Sequence, residues 1–373
     1  MKILYATNEF KNNMSIWQQY HFVNELLGHG VEIERICREH FDKLVEFNAE
    51  IVRKVLSCDL FLTSFDEKTI FVKTIEEIKK QSIPTVLICF DNLVIPYVHK
   101  RVAKHYDLVW LTSKETEPLF KKWGANTIYM PYAANPGLYC EGKHEVHRLV
   151  FIGTPYGSRK KMLLPLIKND IPLDLYCLPN IPKPASDSKT TNKRNHFFRR
   201  LSSILYHFFN KLSFKIGRKL LYSSFLRRFS KIEFDINKDS VNAYPAVNFS
   251  SLFTTYSHYC LSLSSTNAVN TGFLKTPVPI INLRNFEIPM AGLAQICFYN
   301  EELSHYFEEG KEIIFYRNEE ELIEKCNYYL KEENQAELLD IGANARKKCI
   351  KEHSWFCRFK RIFEYFNLHN YHE

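Results

Sequence analysis

Short apolar runs alternate with stretches of helical spacing along most of the chain. Residues 2–7, KILYAT, are apolar and end in a polar loop. Trp17, Tyr20, Phe22, Val23, Leu26 and Leu27 then recur near a 3.6-residue period, and Gly28 or Gly30 can end that helix. VEIERIC follows with the alternation of a strand, so the chain opens as β-α-β. Further strands are predicted at 59–65, 84–90, 107–113 and 127–133, with helices at 41–57, 70–80, 95–105 and 114–123 between them. Strands that alternate with helices imply a parallel sheet covered on both faces.

The alternation pauses at YAANPGLYCEGKHEVHR, where Pro136, Gly137 and a charged run make a linker. It restarts near residue 148 with LVFIGTPYGSRKKMLLPLIKNDIPLDLYCL, a strand, a glycine-containing turn, a helix and a strand. The second half is interrupted by a Pro-, Ser- and Thr-rich stretch at 179–195 and a basic aromatic segment. The α/β pattern resumes at HYCLSLSS (258–265), and helices close the chain over 334–368. The expected α/β organisation is two Rossmann-like domains facing a cleft, with a basic helical insertion in the second. The N-terminal, acceptor-side domain spans 1–140. The second spans 147–352 with its insertion at about 180–240. Residues 353–373 form a helix expected to pack back on the first domain.

A length of 373 residues accords with two domains, and 45% apolar content with ordinary cores. No run of about 18 apolar residues marks a transmembrane helix. The N-terminus is too short and polar for a signal peptide, and the ten cysteines show no CxxC pair. Reduced thiols in a cytoplasmic protein are therefore expected. Charge is unevenly distributed. Residues 188–231 hold twelve Lys or Arg and no Asp or Glu in a chain of net charge +8, so the remainder carries −4.

Three places carry candidate chemistry. In FIGTPYGSRKK (151–161) a strand runs through Gly153 and Gly157 into a basic helix start. Amide N–H groups there, with Arg159 as a bidentate clamp, would hold a phosphate; the alternative is an ordinary turn with a solvated basic helix end. In LRNFEIPMAG (283–292), Arg284 and Glu287 stand three apart at a helix start. Glu287 could accept from two ribose hydroxyls while Arg284 faces a diphosphate, or the two could form an internal ion pair. Asp91, after a predicted strand end, could orient or deprotonate an acceptor hydroxyl, or cap the next helix. Asn8 and Glu9 follow the first strand in the same way. His21 and His353 read as packing or capping residues, and SFDEK (64–68) as a surface turn rather than a metal site.

The stretch from LRNFEIPMAG through YNEELSHYFEEGKEIIFYRNEEELIEKCNYYL to ANARKKCIKEHSWFCRFKRIF resembles the C-terminal half of CgeB-like, spore-maturation-type glycosyltransferases. FIGTPYGSR and MPYAANP resemble that family's second-domain turn and first-domain end. The resemblance covers 148–178 and 244–365 well, the first domain loosely and 179–240 not at all. It implies the GT-B fold and a retaining, metal-independent hexosyl transfer from a nucleotide sugar, which is a co-substrate, so no cofactor is needed. The acceptor would be a glycan or lipid-linked glycan in surface polysaccharide assembly. It also implies that Glu287 holds the nucleotide ribose, that Arg284 and Arg159 contact the diphosphate, and that Gly153 and Thr154 line the phosphate turn, with Asn285 on the donor side. Asp91 and Arg284 are then the catalytic candidates. Two features depart from related transferases. Pro279 stands eight residues before Glu287, where many have a second glutamate, and the first loop lacks glycines. A non-catalytic nucleotide- or carbohydrate-binding scaffold of the same fold is therefore the alternative, and another two-Rossmann enzyme such as an epimerase a third reading.

The segment 188–231 has Phe197, Phe198, Leu201, Ile204, Leu205, Phe208, Phe209 and Leu212 on one helical face, among cations. An anionic membrane surface is the partner this pattern favours, placing the protein peripherally on the inner face of the cytoplasmic membrane. A helix pair packed on its own domain is the alternative. Nucleic acid would leave the apolar face unexplained, so none is expected as a partner.

Overall fold

The alternating pattern becomes two parallel six-stranded sheets in the computed structural model, which describes residues 1–11, 13–139, 142–178, 193–230, 232 and 236–372. The chain divides into two compact units. Unit 1 holds Met1–Cys140, Ile281–Met290 and Lys347–Glu373; unit 2 holds Glu141–Ile280 and Ala291–Arg346.

In unit 1 the strands are β1 (Lys2–Thr7), β2 (Glu32–Cys37), β3 (Leu60–Thr63), β4 (Thr85–Cys89), β5 (Leu108–Leu111) and β6 (Thr127–Tyr129), in the order β2-β1-β3-β4-β5-β6. β1, β3, β4 and β5 are buried along almost their whole lengths, so their sequences read as continuous apolar runs. Helices Leu44–Val55 and Val72–Lys80 cover one face through Phe47, Ile51, Ile75 and Ile78. The other face buries Phe22, Leu26, Trp110, Trp355 and Phe359. Where a helix was expected over 95–105 there are only 3-10 turns, Pro96–His99 and Ala103–His105. Pro96 has no N–H to continue a helical ladder entering from residues 92–95.

Helix Trp355–Tyr365 belongs to unit 1, and polar groups anchor it there. Ser354 Oγ accepts from the Cys357 amide at 3.1 Å, and the Glu25 carboxylate accepts from the Trp355 and Phe356 amides, both at 3.1 Å. A carboxylate at a helix N-terminus satisfies open N–H groups and meets the positive end of the helix dipole. Arg358 is buried, and its guanidinium donates to the carbonyls of Pro131, Tyr132 and Glu352.

In unit 2 the strands are β7 (Val146–Ile152), β8 (Leu173–Leu178), β9 (Val241–Pro245), β10 (Tyr259–Ser264), β11 (Ala294–Phe298) and β12 (Ile314–Tyr316), in the order β12-β11-β10-β7-β8-β9. Helices Ser158–Lys168, Glu319–Tyr329 and Gln335–Glu352 bury Leu163, Leu166, Leu322, Cys326, Leu338 and Ile341 against it. The insertion leaves after β8 and returns at β9. Its described part is a helical hairpin, Lys193–Leu212 and Lys215–Phe229, whose second helix packs on the turn Thr271–Phe273. Gly217 lets the hairpin close, because a Cβ there would stand 2.1 Å from the Lys211 carbonyl oxygen. Residues 188–192 and 231 of the stretch expected to bind membrane lie outside the described residues, as do 179–187 before it. The apolar stretch VPII (278–281) forms no strand. Pro279 makes only an isolated antiparallel bridge to Asn267.

Burial pushes the Glu25 carboxyl up to about 7 against the opposing hydrogen bonds from Ser354 and the two amides. The folded chain therefore holds this proton more tightly than an unfolded chain, whose glutamate titrates near 4.5. The stability linked to it is complete below pH 4.5 and is lost as pH rises through 7, by about 3 kcal/mol. Denaturant titrations across this range should show that slope, and Glu25→Gln should flatten it.

Candidate functional site

The residues singled out in the sequence fall into two groups, one in each unit. In unit 2, β7 ends at Ile152 and the turn through Gly153, Thr154, Pro155 and Tyr156 leads into helix Ser158–Lys168. Arg159 folds back over this turn. Its Nη1 donates to the Thr154 carbonyl at 3.3 Å, and its guanidinium lies 4.7 Å from the centre of the Tyr156 ring. Gly153, Thr154 and Arg159 are thus brought together as expected. The helix start differs from the expectation. The Arg159 amide bonds to Tyr156 O at 3.1 Å and the Lys160 amide to Gly157 O at 3.3 Å. Two N–H groups that a phosphate would use are therefore engaged by a tight first turn, leaving side-chain cations as the anion-binding groups.

A cavity of about 220 Å³ adjoins the same helix. Its wall includes Ser158, Lys161, Asn267, Lys275, Phe298 and Tyr316. Phe298 and Tyr316 close β11 and β12, and Ser265 to Asn267 follow β10. This is the carboxyl edge of the parallel sheet, where open α/β sheets hold ligands. None of these side chains except those of the 151–161 turn stood out in the sequence. Of these, Ser265 to Asn267 carry a sequence signal, since they end or directly follow the stretch 258–265 where the α/β pattern resumes.

In unit 1, helix Arg284–Met290 begins where expected, with Glu287 inside its first turn. This segment was assigned to the second domain from the sequence, yet it clusters with residues of the first. The reason is polar as well as apolar. Glu287 is completely buried; its Oε2 pairs with Arg284 Nη1 and its Oε1 lies 3.1 Å from His21 Nε2. His21 Nδ1 accepts from the Asn135 amide at 3.2 Å, which leaves the ring proton on Nε2 to donate to Glu287. Burial alone would raise the Glu287 carboxyl, but the Arg284 charge and the His21 hydrogen bond outweigh it and hold it below the ordinary glutamate value. Of the two readings of the Arg284–Glu287 pair, this geometry is that of the internal ion pair. His21, read as packing, is its second partner.

Asn285 is also fully buried, and its Oδ1 accepts from the Asn282 amide at 2.9 Å, so it fastens the helix start. Arg284, with about a third of its side chain exposed, is the member of this group that solvent reaches. His353 is buried beside the Phe286 ring and hydrogen-bonds Arg358, in keeping with a packing residue.

The acceptor-side residues lie at the carboxyl edge of the unit 1 sheet. Asp91 follows β4 and is exposed; its carboxylate makes no hydrogen bond among the described residues, and the chain packed around it raises its carboxyl above the ordinary value. It does not cap the segment after it. The next residue, Asn92, fastens the end of β5 instead, its Oδ1 accepting from the Thr112 and Ser113 amides at 3.0 and 3.1 Å. Asn8 is exposed after β1. Glu9 pairs with Lys11 and with His40 at 2.6 Å, which hold its carboxyl below the usual range. Glu9 borders a hollow of about 590 Å³ shared with Arg35, His40 and Tyr20.

Comparison with known proteins fits this architecture. Residues 214–364 match the family model described as glycosyl transferase-like, somewhat less than half of the chain. No curated protein matches the chain in sequence. Among solved structures, Anabaena Alr3699/HepE in complex with UDP and glucose is 13% identical with a TM-score of 0.56, over 98% of this chain and 99% of that one. Sucrose-phosphate synthase from Thermosynechococcus elongatus is 11% identical with a TM-score of 0.54, over 98% of each chain. An alpha-glucosyltransferase solved with UDP and a 13-mer DNA is 12% identical with a TM-score of 0.56, over 98% and 99%. The fold is thus the α/β GT-B architecture of glycosyltransferases.

Removing the Glu287 carboxylate takes the acceptor from the buried His21 donor and the counter-charge from the partly exposed Arg284. Glu287→Ala should therefore lower the stability of the protein by about 3 kcal/mol in denaturant titration. A variant as stable as the parent would show that the carboxylate does not hold helix Arg284–Met290 in place.

Proposed function

We propose that this protein is a glycosyltransferase that moves a sugar from a nucleotide-sugar donor to a glycan or lipid-linked glycan of a surface polysaccharide. The observation that carries the reading is the carboxyl edge of the unit 2 sheet. A cavity there lies beside a turn with cationic side chains, and its wall from Ser265 to Leu322 falls within residues 214–364, which match a glycosyl transferase-like family. Solved proteins of the same fold hold UDP, UDP-glucose or UDP with glucose, which makes a uridine nucleotide the first donor to test.

On this reading the cavity takes the nucleotide, and Arg159 meets the charge that grows on the leaving diphosphate. Fixed cations aimed at developing charge stabilise the transition state, so the reaction is metal-independent in our proposal. In unit 1, Arg284 is a solvent-reached cation held by its bond to Glu287. Asp91, with its raised carboxyl and unengaged oxygens, orients or deprotonates the acceptor hydroxyl. Retention of anomeric configuration follows the family resemblance.

One observation favours a second reading. Glu287, the carboxylate expected on the ribose, has both oxygens engaged by the protein itself. A nucleotide-binding scaffold without turnover would have the same fold and cavity.

A thermal-shift series with UDP, GDP, ADP, CMP and TDP decides whether a donor site exists. One nucleoside diphosphate should raise the unfolding midpoint of the parent and have little effect on Arg159→Ala. No response to any of them would end the donor reading. With the responding base, release of nucleoside diphosphate from its nucleotide sugars on adding a glycan acceptor marks a transferase. Binding without release marks the scaffold.

The insertion supports a peripheral place on the inner face of the cytoplasmic membrane. No helix among the described residues is long and apolar enough to cross a membrane. The hairpin leaves Ile204, Phe209, Phe225 and Phe229 more than half exposed, in a segment with twelve cations and no acid. Apolar side chains entering the headgroup layer between cations are the requirement for binding anionic lipid. Replacing Phe209, Phe225 and Phe229 by Ser should abolish co-sedimentation with phosphatidylglycerol vesicles while the unfolding midpoint stays put. Equal sedimentation would remove the membrane from the proposal.

A further inference from the structure

The hairpin also adds a wall to unit 2. The last turn of helix Lys215–Phe229 comes over the start of helix Ser158–Lys168, and with Asn270 and Phe273 they enclose a hollow of about 590 Å³. Its polar lining is Lys160, Ser224, Arg227, Arg228, Ser230 and Asn270, with no carboxylate among the described residues that line it. Arg227 and Arg228 are exposed and have no ion-pair partner among the described residues. Arginines at a helix C-terminus are common, since they suit the negative end of the dipole, and alone they would mark no site.

Asn270 gives the hollow a purpose. It is only 6% exposed, its Nδ2 donates to Ser224 Oγ at 3.3 Å, and its Oδ1 has no hydrogen-bond partner. Buried amide oxygens in folded proteins are almost always satisfied, and a lone one needs a reason. The wall beside it is kept thin. Gly157 has φ of 55°, and a Cβ there would stand 2.0 Å from Asn270 Oδ1 and 4.0 Å from Arg227 Cδ. A side chain at 157 would thus displace Asn270. The result is an acceptor lacking a donor, close to two guanidinium groups that have no ion-pair partner among the described residues.

We propose that this hollow binds a phosphate group with a neighbouring hydroxyl, the end of a phosphorylated sugar or polyol. Arg227 and Arg228 take the phosphate oxygens, with Lys160 at the rim, and Asn270 Oδ1 accepts from the hydroxyl. Guanidinium groups match phosphate in charge and in paired donor geometry, and an ionised phosphate cannot supply the donor that Oδ1 lacks. A free phosphorylated polyol and a glycerophospholipid headgroup both carry this pair of groups. The assignment does not depend on the donor site at the 220 Å³ cavity.

Calorimetric titration of the full chain with glycerol 1-phosphate and with inorganic phosphate tests it. Soluble probes separate this hollow from the apolar contact of the hairpin with vesicles. Both probes should bind the parent, and Arg227→Ala with Arg228→Ala, two exposed changes, should weaken both at least ten-fold. Asn270→Leu should weaken glycerol 1-phosphate several-fold and spare inorganic phosphate, with an unfolding midpoint near that of the parent. Displacement of glycerol 1-phosphate by phosphatidylglycerol vesicles would identify a lipid headgroup as the occupant, and its persistence a free ligand. UDP weakened by the double variant would make the occupant the donor's phosphate end, and UDP unaffected a separate compound. Failure of both probes to bind the parent at millimolar concentration, or equal binding by the double variant, would overturn the proposal.

Discussion

A buried carboxylate decides how this chain is divided. Glu287 has no contact with water, and an ionised group in that position is tolerated only with charge and hydrogen bonds around it. Arg284 supplies the charge from the same helix. His21 supplies the second donor, and the Asn135 amide sets its tautomer. These partners come from three distant parts of the sequence. Their convergence carries residues 281–290 out of the run that builds unit 2 and into unit 1. The same logic holds for Arg358, whose guanidinium meets three carbonyl oxygens, whereas Glu25, its carboxyl pushed up by burial, ties the final helix to unit 1 through backbone amides. Unit 1 is a Rossmann-like sheet with two later segments held to it by compensated buried charge as well as by apolar packing.

Unit 2 separates its charges differently. Its cations gather around the start of one helix: Arg159 over the turn, Lys161 in the adjoining cavity, and Arg227 and Arg228 arriving from the insertion. The helix start itself contributes little, since two of its amides close a tight turn. Anion binding in this unit is therefore a property of side chains. A property of side chains can be altered by an insertion, whereas a helix dipole cannot. The hairpin changes the chemistry next to the sheet while β8 and β9, which flank it, stay paired in parallel from Leu173–Val241 to Tyr176–Tyr244, with the register shifting before Leu178.

Much of this was legible in the sequence. Buried parallel strands need long apolar runs and their helices need one apolar face, so the alternation of the two periods made an α/β fold with parallel sheets legible. The unequal distribution of charge determined that residues 188–231 behave unlike the rest. The turn at 151–161 was legible too, because glycines and cations between a strand and a helix form a local pattern. Tertiary structure alone decided the partners of Glu287. A spacing of three between Arg284 and Glu287 serves an internal pair and a ligand site equally well, and His21 lies 266 residues away from Glu287. Only the folded chain could show Asn270 without a donor or Arg227 over Gly157, since both follow from where a helix of the insertion comes to rest. Periodicity is a local property that one segment carries by itself. Compensation of a buried charge requires groups that the sequence holds far apart, and no local pattern records which of them will meet.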